Sequence, residues 1–182
     1  MSWEHVKEDE FKRRMLKGWA NGLHDKTQCG AGSTLANTES IRQMLPDLLL
    51  RYQIKTVCDA GAGDLHWRNS VELPAKIFSV DLVPRHPDVQ ELDITRQAVP
   101  PCDLILCRMV LNHMDAERVQ SALALFKTSA TYLLATQHPG ENPAQSADYT
   151  KWNLALAPFS LGEPLESLRD CRDFSLSLWR VQ

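Results

Sequence analysis

The chain has 182 residues, of which 43% are hydrophobic and 24% are charged, and its formal net charge is −3. This composition is typical of a globular protein with a substantial core, and it predicts a single domain with an N-terminal helical segment over residues 1–52 and a core over residues 53–182. The slightly negative charge gives no general attraction for nucleic acid or for an anionic membrane, and no apolar run reaches the ~18–20 residues of a membrane span.

The five cysteines and six histidines show no metal-ligand spacing. An odd number of cysteines without a paired motif favours free thiols in a reducing compartment. The sequence therefore predicts no metal site and a cytoplasmic location, and it leaves the oligomeric state open.

Two amphipathic helices are predicted ahead of the core, with a glycine-rich loop between them. In the first, Phe11, Met15 and Trp19 repeat at helical spacing among basic residues. These basic residues are interpreted first as a solvated helix face and second as a surface for an anionic substrate. The second helix begins near Thr38 and contains Pro46, which predicts a kink or a new first turn there.

Apolar runs separated by turn residues predict the strands of the core. In chain order they span residues 55–59, 76–81, 89–92, 103–107, 130–136, 165–169 and 174–181. Helices are predicted over residues 65–71 and 116–128, the second with Asp115 as its N-cap, and residues 137–164 form a long loop. The alternation of strands and helices predicts a mostly parallel sheet, and the last two strands predict a closing antiparallel hairpin.

A glycine turn follows the first strand of the core. Asp59 ends that strand and Gly61-Ala62-Gly63 comes next, so the backbone there can approach a ligand closely. Taken alone, this turn is equally well a structural bend. It differs from a dinucleotide-binding turn, because His66 occupies the position of the third glycine and Asp64 would repel a pyrophosphate.

Acidic residues also end the next two strands, and each suits a particular ligand group. Asp81 lies 20 residues past Gly61, the spacing at which a carboxylate accepts hydrogen bonds from a ribose diol. Asp93 can accept a hydrogen bond from an exocyclic amine such as that of adenine, with Leu82 and Ile94 on either side of the ring. A ligand with a ribose, an adenine and a positive centre but no phosphate is S-adenosylmethionine.

These segments resemble the ordered motifs of class I S-adenosylmethionine-dependent methyltransferases over roughly residues 54–136. The matching segments are Asp59–Gly63, Val80–Asp81, Leu92–Ile94 and Cys102–Cys107. More narrowly, Gly61–Trp67, Asp93–Thr95 and Leu176–Trp179 resemble a group of small bacterial methyltransferase-domain proteins of unassigned substrate. The resemblance implies an α/β, Rossmann-like class I methyltransferase fold, with a mostly parallel seven-stranded sheet, a C-terminal antiparallel hairpin and helices on both faces.

Together with the chemistry of the strand ends, the resemblance predicts a set of residues that bind the cofactor. They are Ser33, Asp59, Gly61, Ala62, Gly63, Asp81, Leu82, Asp93, Ile94, Arg108 and Met109. The glycine turn would contact the amino-acid moiety, and Arg108 and Met109 would border the sulfonium. The loop Gly30–Ser33 would lie near the methionine end of S-adenosylmethionine.

The candidate catalytic residues are His113 and Asn112, which follow the fourth strand. A base helps when the acceptor is a hydroxyl or a protonated amine, and His113 can take that proton while Asn112 orients the acceptor. A packing or capping role for His113 is an equal alternative. His138 is a second candidate base, and it and Trp152 are predicted to belong to a lid or an acceptor wall, with plain loop packing as the alternative.

The leading hypothesis for function is an S-adenosylmethionine-dependent methyltransferase whose acceptor is a small molecule or a glycan. The strand-end acids and the slight negative charge favour it. Two alternatives stay open. One is methylation of a nucleic acid or a protein, with the basic N-terminal helix as the docking surface, and the other is a non-catalytic module that binds S-adenosylmethionine.

Overall fold

The structure, a computed structural model, describes residue 25 and residues 27–146, 148–171 and 174–182. The predicted stripe of Phe11, Met15 and Trp19 lies outside these residues. Within them, no helix has the length and apolar character needed to cross a membrane, and no group of His, Cys, Asp and Glu side chains is arranged to hold a metal ion. All five cysteines are free thiols.

Seven strands form one sheet in the order β3-β2-β1-β4-β5-β7-β6. The strands are β1 (Thr56–Ala60), β2 (Lys76–Asp81), β3 (Val89–Glu91), β4 (Cys102–Cys107), β5 (Ala130–Gln137), β6 (Glu166–Arg169) and β7 (Ser175–Arg180). Strands β1 to β5 pair in parallel, whereas β7 runs antiparallel to both β5 and β6. The predicted parallel sheet with a C-terminal antiparallel hairpin is confirmed.

One described α-helix packs on each face of the sheet. Helix α1 (Glu39–Arg51) buries a leucine-rich face against one side, and helix α2 (Ala116–Ser129) buries its apolar face against the other. Burial of each such large apolar side chain contributes roughly 1.5–3 kcal/mol relative to exposure. The Asp115 side chain caps α2 by accepting a hydrogen bond from the Arg118 N–H at 3.0 Å, as predicted. Helix α1 runs through Pro46, so no new helix begins there.

The connection from β1 to β2 differs from its prediction. In place of a helix over residues 65–71 there is only a short 3-10 turn, Arg68–Ser70. Leu65 has a φ of +58°, which an α-helix cannot include. Trp67 is buried in the same core cluster as α1, so this connection packs on the sheet without forming a regular helix.

Candidate active site

A cavity of about 270 Å³ lies between β1 and β4, where the strand order of the sheet reverses, beyond the carboxyl ends of the strands. Its volume is close to the lower end of the ~300–1,000 Å³ range of small-molecule sites. The predicted cofactor residues that line it are Ser33, Gly61, Gly63, Asp81, Leu82, Asp93, Ile94, Arg108 and Met109. The predicted base His113 also lines it.

The glycine turn after β1 has no room for side chains. Gly61 has a φ of +88°, and a Cβ atom added there would lie 2.1 Å from Cγ2 of Val110. Gly63 has a φ of +60°, and its Cβ atom would lie 2.4 Å from the sulfur of Cys29. Both the left-handed backbone conformation and the close neighbours require glycine at these two positions. The backbone of this turn therefore forms part of the cavity wall directly.

Asp81, at the end of β2, is tied to the glycine turn by backbone hydrogen bonds. Its Oδ2 accepts from the Gly63 N–H at 2.8 Å and its Oδ1 accepts from the Val83 N–H at 2.8 Å. Burial raises the pKa of Asp81, and these hydrogen bonds oppose that rise. A carboxylate has about four acceptor positions, so each oxygen keeps capacity for a ligand hydroxyl in the cavity.

Asp93 follows β3 and is held by its own turn. Its Oδ1 accepts from the Thr95 N–H at 2.9 Å and from the Thr95 hydroxyl at 2.7 Å, and its Oδ2 lies 3.5 Å from Nε of Arg96. Leu82 and Ile94 line the cavity beside it. A purine needs a hydrogen-bond acceptor for the amino group on its edge and apolar side chains for the faces of its ring. Asp93 provides the first, and Leu82 and Ile94 provide the second.

Arg108 does not offer a free positive charge to the cavity. Its guanidinium pairs with Asp170 through contacts of 2.7 and 2.9 Å, and both side chains are almost fully buried. It also donates a hydrogen bond to the Gly32 carbonyl oxygen at 2.8 Å. Arg108 lines the cavity where it was predicted to border a sulfonium, but Asp170 compensates its charge. Asp170 was missed in the sequence, because its partner is 62 residues away.

Asp64 has a different role from the phosphate-repelling residue that the sequence suggested. Its carboxylate accepts hydrogen bonds from the Thr27 hydroxyl at 2.9 Å and from the Gln28 N–H at 2.7 Å. Burial alone would raise the pKa of Asp64, but these bonds and one from the His66 N–H lower it below its usual range. Asp64 thus fastens residues 27–33, which include the predicted loop Gly30–Ser33, to the glycine turn.

Three predicted site residues do not reach the cavity wall. Asp59 is buried, and its burial raises the pKa of its carboxyl to about 7. Ala62 points its side chain into a small apolar cluster while its N–H donates to the Val80 carbonyl oxygen at 3.1 Å. Asn112 is 2% exposed and lies in a 3-10 turn whose backbone oxygen accepts from the Thr150 N–H at 2.7 Å. None of the three lines the cavity, so the roles of Asp59 and Ala62 in cofactor binding and of Asn112 in catalysis stay predictions.

His113 lines the cavity from the 3-10 turn that follows β4, whereas Asp81 ends β2 and Asp93 follows β3. Burial lowers the pKa of its imidazole, and its Nδ1 lies 3.1 Å from the Asp148 carbonyl oxygen. Its ring packs edge-on against Tyr149 at a centroid distance of 5.6 Å. His138 is buried behind Tyr149, with Nε2 at 3.4 Å from the Tyr149 hydroxyl, and it does not line the cavity.

The aromatic residue of the long loop that reaches the cavity is Tyr149, which the sequence analysis missed. For Trp152 the structure shows the alternative of plain loop packing and not the acceptor wall: the side chain is buried against Phe159, and its indole N–H donates to the Met114 carbonyl oxygen at 3.1 Å. Tyr149 and Trp152 are both aromatic residues in a polar loop, so the sequence gives the same reason to place either one in the cavity. Sequence spacing does not distinguish them, because the choice depends on how the loop packs.

Neither a protein-family model nor a curated protein sequence matches this chain. Solved structures do match it. A 1,6-didemethyltoxoflavin-N1-methyltransferase from Burkholderia thailandensis, with bound 1,6-didemethyltoxoflavin and S-adenosylhomocysteine, is 15% identical with a TM-score of 0.69 over 99% of this chain and 91% of that chain. A magnesium protoporphyrin IX methyltransferase from Synechocystis, with bound S-adenosylhomocysteine, is 13% identical with a TM-score of 0.65 over 97% of each chain.

The O-methyltransferase NcsB1 from neocarzinostatin biosynthesis is 11% identical, with a TM-score of 0.55 over 82% of this chain. The chain spans 60% of the length of NcsB1, whereas it spans nearly all of the first two structures. At these identities the similarity establishes the fold. The chain has the Rossmann-like fold of these methyltransferases, as the sequence motifs predicted.

Proposed function

We propose that the protein is an S-adenosylmethionine-dependent methyltransferase that acts on a small-molecule acceptor. The observation that carries this proposal is the glycine turn beside two carboxylates, Asp81 and Asp93, in a cavity where Asp170 compensates the charge of Arg108. Among the described lining residues a pyrophosphate would find no uncompensated cation, whereas a cationic ligand with a ribose would find acceptors. Neighbours of the same fold that were crystallised with S-adenosylmethionine or S-adenosylhomocysteine support this assignment.

The residues of the cavity fit this cofactor. The backbone of Gly61 and Gly63, which lines the cavity, suits the amino-acid end, and the remaining acceptor capacity of Asp81 suits the ribose hydroxyls. Asp93 with Ile94 suits the adenine, and Ser33 in the 27–33 segment suits the methionine end. When bound, S-adenosylmethionine supplies a methyl group that passes from its positively charged sulfur to the acceptor, and the sulfur keeps the electron pair of the broken bond.

His113 is the residue that we assign to accept the proton of the acceptor. Its lowered pKa keeps the imidazole neutral at pH 7, and only the neutral form can take a proton. The Asp148 carbonyl at Nδ1 fixes the orientation of the ring. We also assign the activity to the cytoplasm, which the five free thiols support.

The cofactor assignment is tested by calorimetry with S-adenosylmethionine and S-adenosylhomocysteine. We expect both to bind the wild-type protein and the Asp81→Asn variant to bind at least about tenfold more weakly, because a hydrogen bond to a charged group contributes ~1.5–3 kcal/mol. Asp103→Asn is the matched control. Asp103 also accepts backbone hydrogen bonds, from Lys55 and Thr56, but it is the second residue of β4 and does not line the cavity.

Absence of binding to the wild-type protein would refute the proposal. Equal weakening by Asp103→Asn would show that the effect of Asp81→Asn comes from a loosened sheet. Transfer of a labelled methyl group into a cell extract then identifies the class of acceptor. Label in nucleic acid or protein would replace the small-molecule assignment, and cofactor binding without any transfer would indicate a non-catalytic binding module.

A further inference from the structure

The cavity has two chemically different halves. The first, which we call the cofactor half, carries the glycine turn and the carboxylates: Gly61, Gly63, Asp81, Asp93 and Ile94. The second, which we call the aromatic half, is formed by Met109, His113, Met114, Tyr149 and Phe174. Two methionines and three rings make the aromatic half apolar and polarisable. The two halves therefore suit two different ligands, the cofactor and the acceptor.

The aromatic half is held together by ring contacts. Tyr149 packs edge-on against His113 and against the buried His138, at centroid distances of 5.6 and 5.9 Å. His138 in turn contacts Phe174 at 5.2 Å. The Tyr149 hydroxyl lies 3.4 Å from Nε2 of His138 and 3.9 Å from the sulfur of Met109. These contacts hold the Tyr149 ring in place although it belongs to a loop and is 38% exposed.

The charges around the aromatic half narrow the chemistry of its ligand. None of the five residues of this half is Asp, Glu, Lys or Arg, and the charge of Arg108, which lines the cavity beside Met109, is compensated by Asp170. A sugar would need a dense set of polar partners, and a phosphate would need cations. A flat aromatic ring, in contrast, gains from edge-to-face contact with Tyr149 and Phe174 and from contact with the methionine sulfurs.

We propose that the acceptor is a planar aromatic or heteroaromatic molecule with an ionisable hydroxyl or ring N–H group. Its ring lies against Tyr149, and its ionisable group faces His113, whose ring packs against Tyr149 and lines the same half. Tyr149 is then a residue that determines acceptor specificity. This inference rests on the proposed function, because the acceptor must lie beside the methyl group that the cofactor half presents.

The test measures binding of a flat probe and of its saturated counterpart. With S-adenosylhomocysteine present to fill the cofactor half, 2-naphthol and decahydro-2-naphthol are titrated by ligand-detected nuclear magnetic resonance. We expect 2-naphthol to bind and the saturated alcohol to bind much more weakly. Tyr149→Ala should weaken the binding of 2-naphthol about tenfold, and Tyr149→Phe, which keeps the ring, should weaken it only about twofold.

Leu156→Ala is the matched control for the tyrosine variants. Leu156 belongs to the same loop and is 45% exposed, but it does not line the cavity, so this variant should bind 2-naphthol as the wild type does. Equal binding of the saturated alcohol, or unchanged binding of 2-naphthol by Tyr149→Ala, would overturn the inference.

Calorimetry with S-adenosylhomocysteine alone separates this inference from the proposed function. We expect the wild type and Tyr149→Ala both to bind it, with a loss in the variant much smaller than its loss for 2-naphthol, because Tyr149 contacts one predicted cofactor residue, Met109, while the Asp81–Gly63 contact is unchanged. If S-adenosylhomocysteine binds and 2-naphthol does not, the acceptor inference fails and the cofactor assignment stands. If S-adenosylhomocysteine itself does not bind, the proposed function fails and the acceptor inference fails with it.

Discussion

The cofactor half and the aromatic half of the cavity are built by different kinds of interaction. The cofactor half consists of backbone and strand ends, with contacts such as the Gly63–Asp81 hydrogen bond between residues 18 positions apart. The aromatic half consists of side chains from a strand end, a long loop and the hairpin, such as the contact between Met109 and Tyr149, 40 residues apart. The cofactor half should therefore be sensitive to backbone changes, and the aromatic half to side-chain changes.

The largest effect on stability is expected from a change to the buried ion pair between Arg108 and Asp170, which joins the two halves. Arg108 holds Gly32 in the 27–33 segment, and Asp170 precedes the hairpin residues of the aromatic half. Asp170→Asn leaves the buried guanidinium without its counter-charge, so we expect the free energy of unfolding to fall by about 3–5 kcal/mol in urea denaturation. The double variant Arg108→Met with Asp170→Leu should recover most of this loss, because it leaves no buried charge.

The ion pair between Arg51 and Asp47 provides the control for this prediction. It lies at the surface, so Asp47→Asn should leave the urea midpoint unchanged. A wild-type midpoint for Asp170→Asn would contradict the assigned role of the buried pair, as would a double variant no more stable than the single one.

A smaller effect is expected from a side chain added to the backbone of the cofactor half. Gly61→Ala places a Cβ atom 2.1 Å from Val110, whereas Gly140→Ala, at a nearly identical φ of +89°, meets nothing within 4 Å. Both variants carry the cost of the left-handed conformation, so the difference between them isolates the clash. We expect Gly61→Ala to be less stable than Gly140→Ala by about 1–3 kcal/mol, and to lose affinity for S-adenosylhomocysteine.

Thermal unfolding and calorimetry of the two glycine variants check this prediction. Similar stability and affinity for both would mean that the glycine turn is needed only for its backbone conformation. Adding Val110→Ala to Gly61→Ala should restore part of the loss, since it removes the nearest atom.

The smallest effect on stability is expected in the aromatic half, where a pH titration is the informative measurement. The pKa of His113 is lowered by burial, so the imidazole should be neutral above pH 6.5 and become protonated only below it. A nuclear magnetic resonance titration, with the signal assigned through His113→Gln, should give a midpoint below 6.5. The free energy of unfolding of His113→Gln should differ from that of the wild type by about 1 kcal/mol or less.

Methyl transfer should follow the same titration once an acceptor is known. The rate should be constant from pH 6.5 upward and fall as the pH decreases through the lowered pKa, because protonation removes the base. His113→Gln should reduce the rate about 100-fold and abolish this dependence. A midpoint above 6.5, or an unchanged pH dependence in the variant, would remove His113 from the proton-accepting role.

The difference between the halves also explains which parts of the site could be predicted from the sequence. Apolar runs ending in Asp81 and Asp93 predicted the strands and the side of the sheet on which these acids meet, because parallel strands place their carboxyl ends together. Gly61 and Gly63 have positive φ values and close neighbours in Val110 and Cys29, which give them a conformational role, and the close approach of a ligand to this turn stays a prediction. Local spacing predicted the strands and the glycine turn, which are formed by residues close together in the chain.

The sequence did not predict the place of several residues relative to the cavity, because their positions depend on how the chain packs. Asp59 is the next-to-last residue of β1 and is buried without lining the cavity, whereas Asp81 ends β2 and lines it. Arg108 and Asp170 meet only because the hairpin folds back beside β5. Tyr149 and Trp152 look alike in the sequence, and only the packing of their loop places one in the cavity and the other in the core. No spacing rule encodes such contacts.

The attachment of residues 27–33 has a consequence for the rate at which a ligand can leave. No residue of this segment belongs to a strand of the described sheet, and its ties to Asp64 and Arg108 run through side chains. Each such hydrogen bond contributes a net ~0.5–1.5 kcal/mol, or ~1.5–3 kcal/mol where a charged group takes part. Local opening of this segment therefore needs far less free energy than unfolding of the sheet. Under the proposed function, exchange of the cofactor through this segment would leave the seven strands paired.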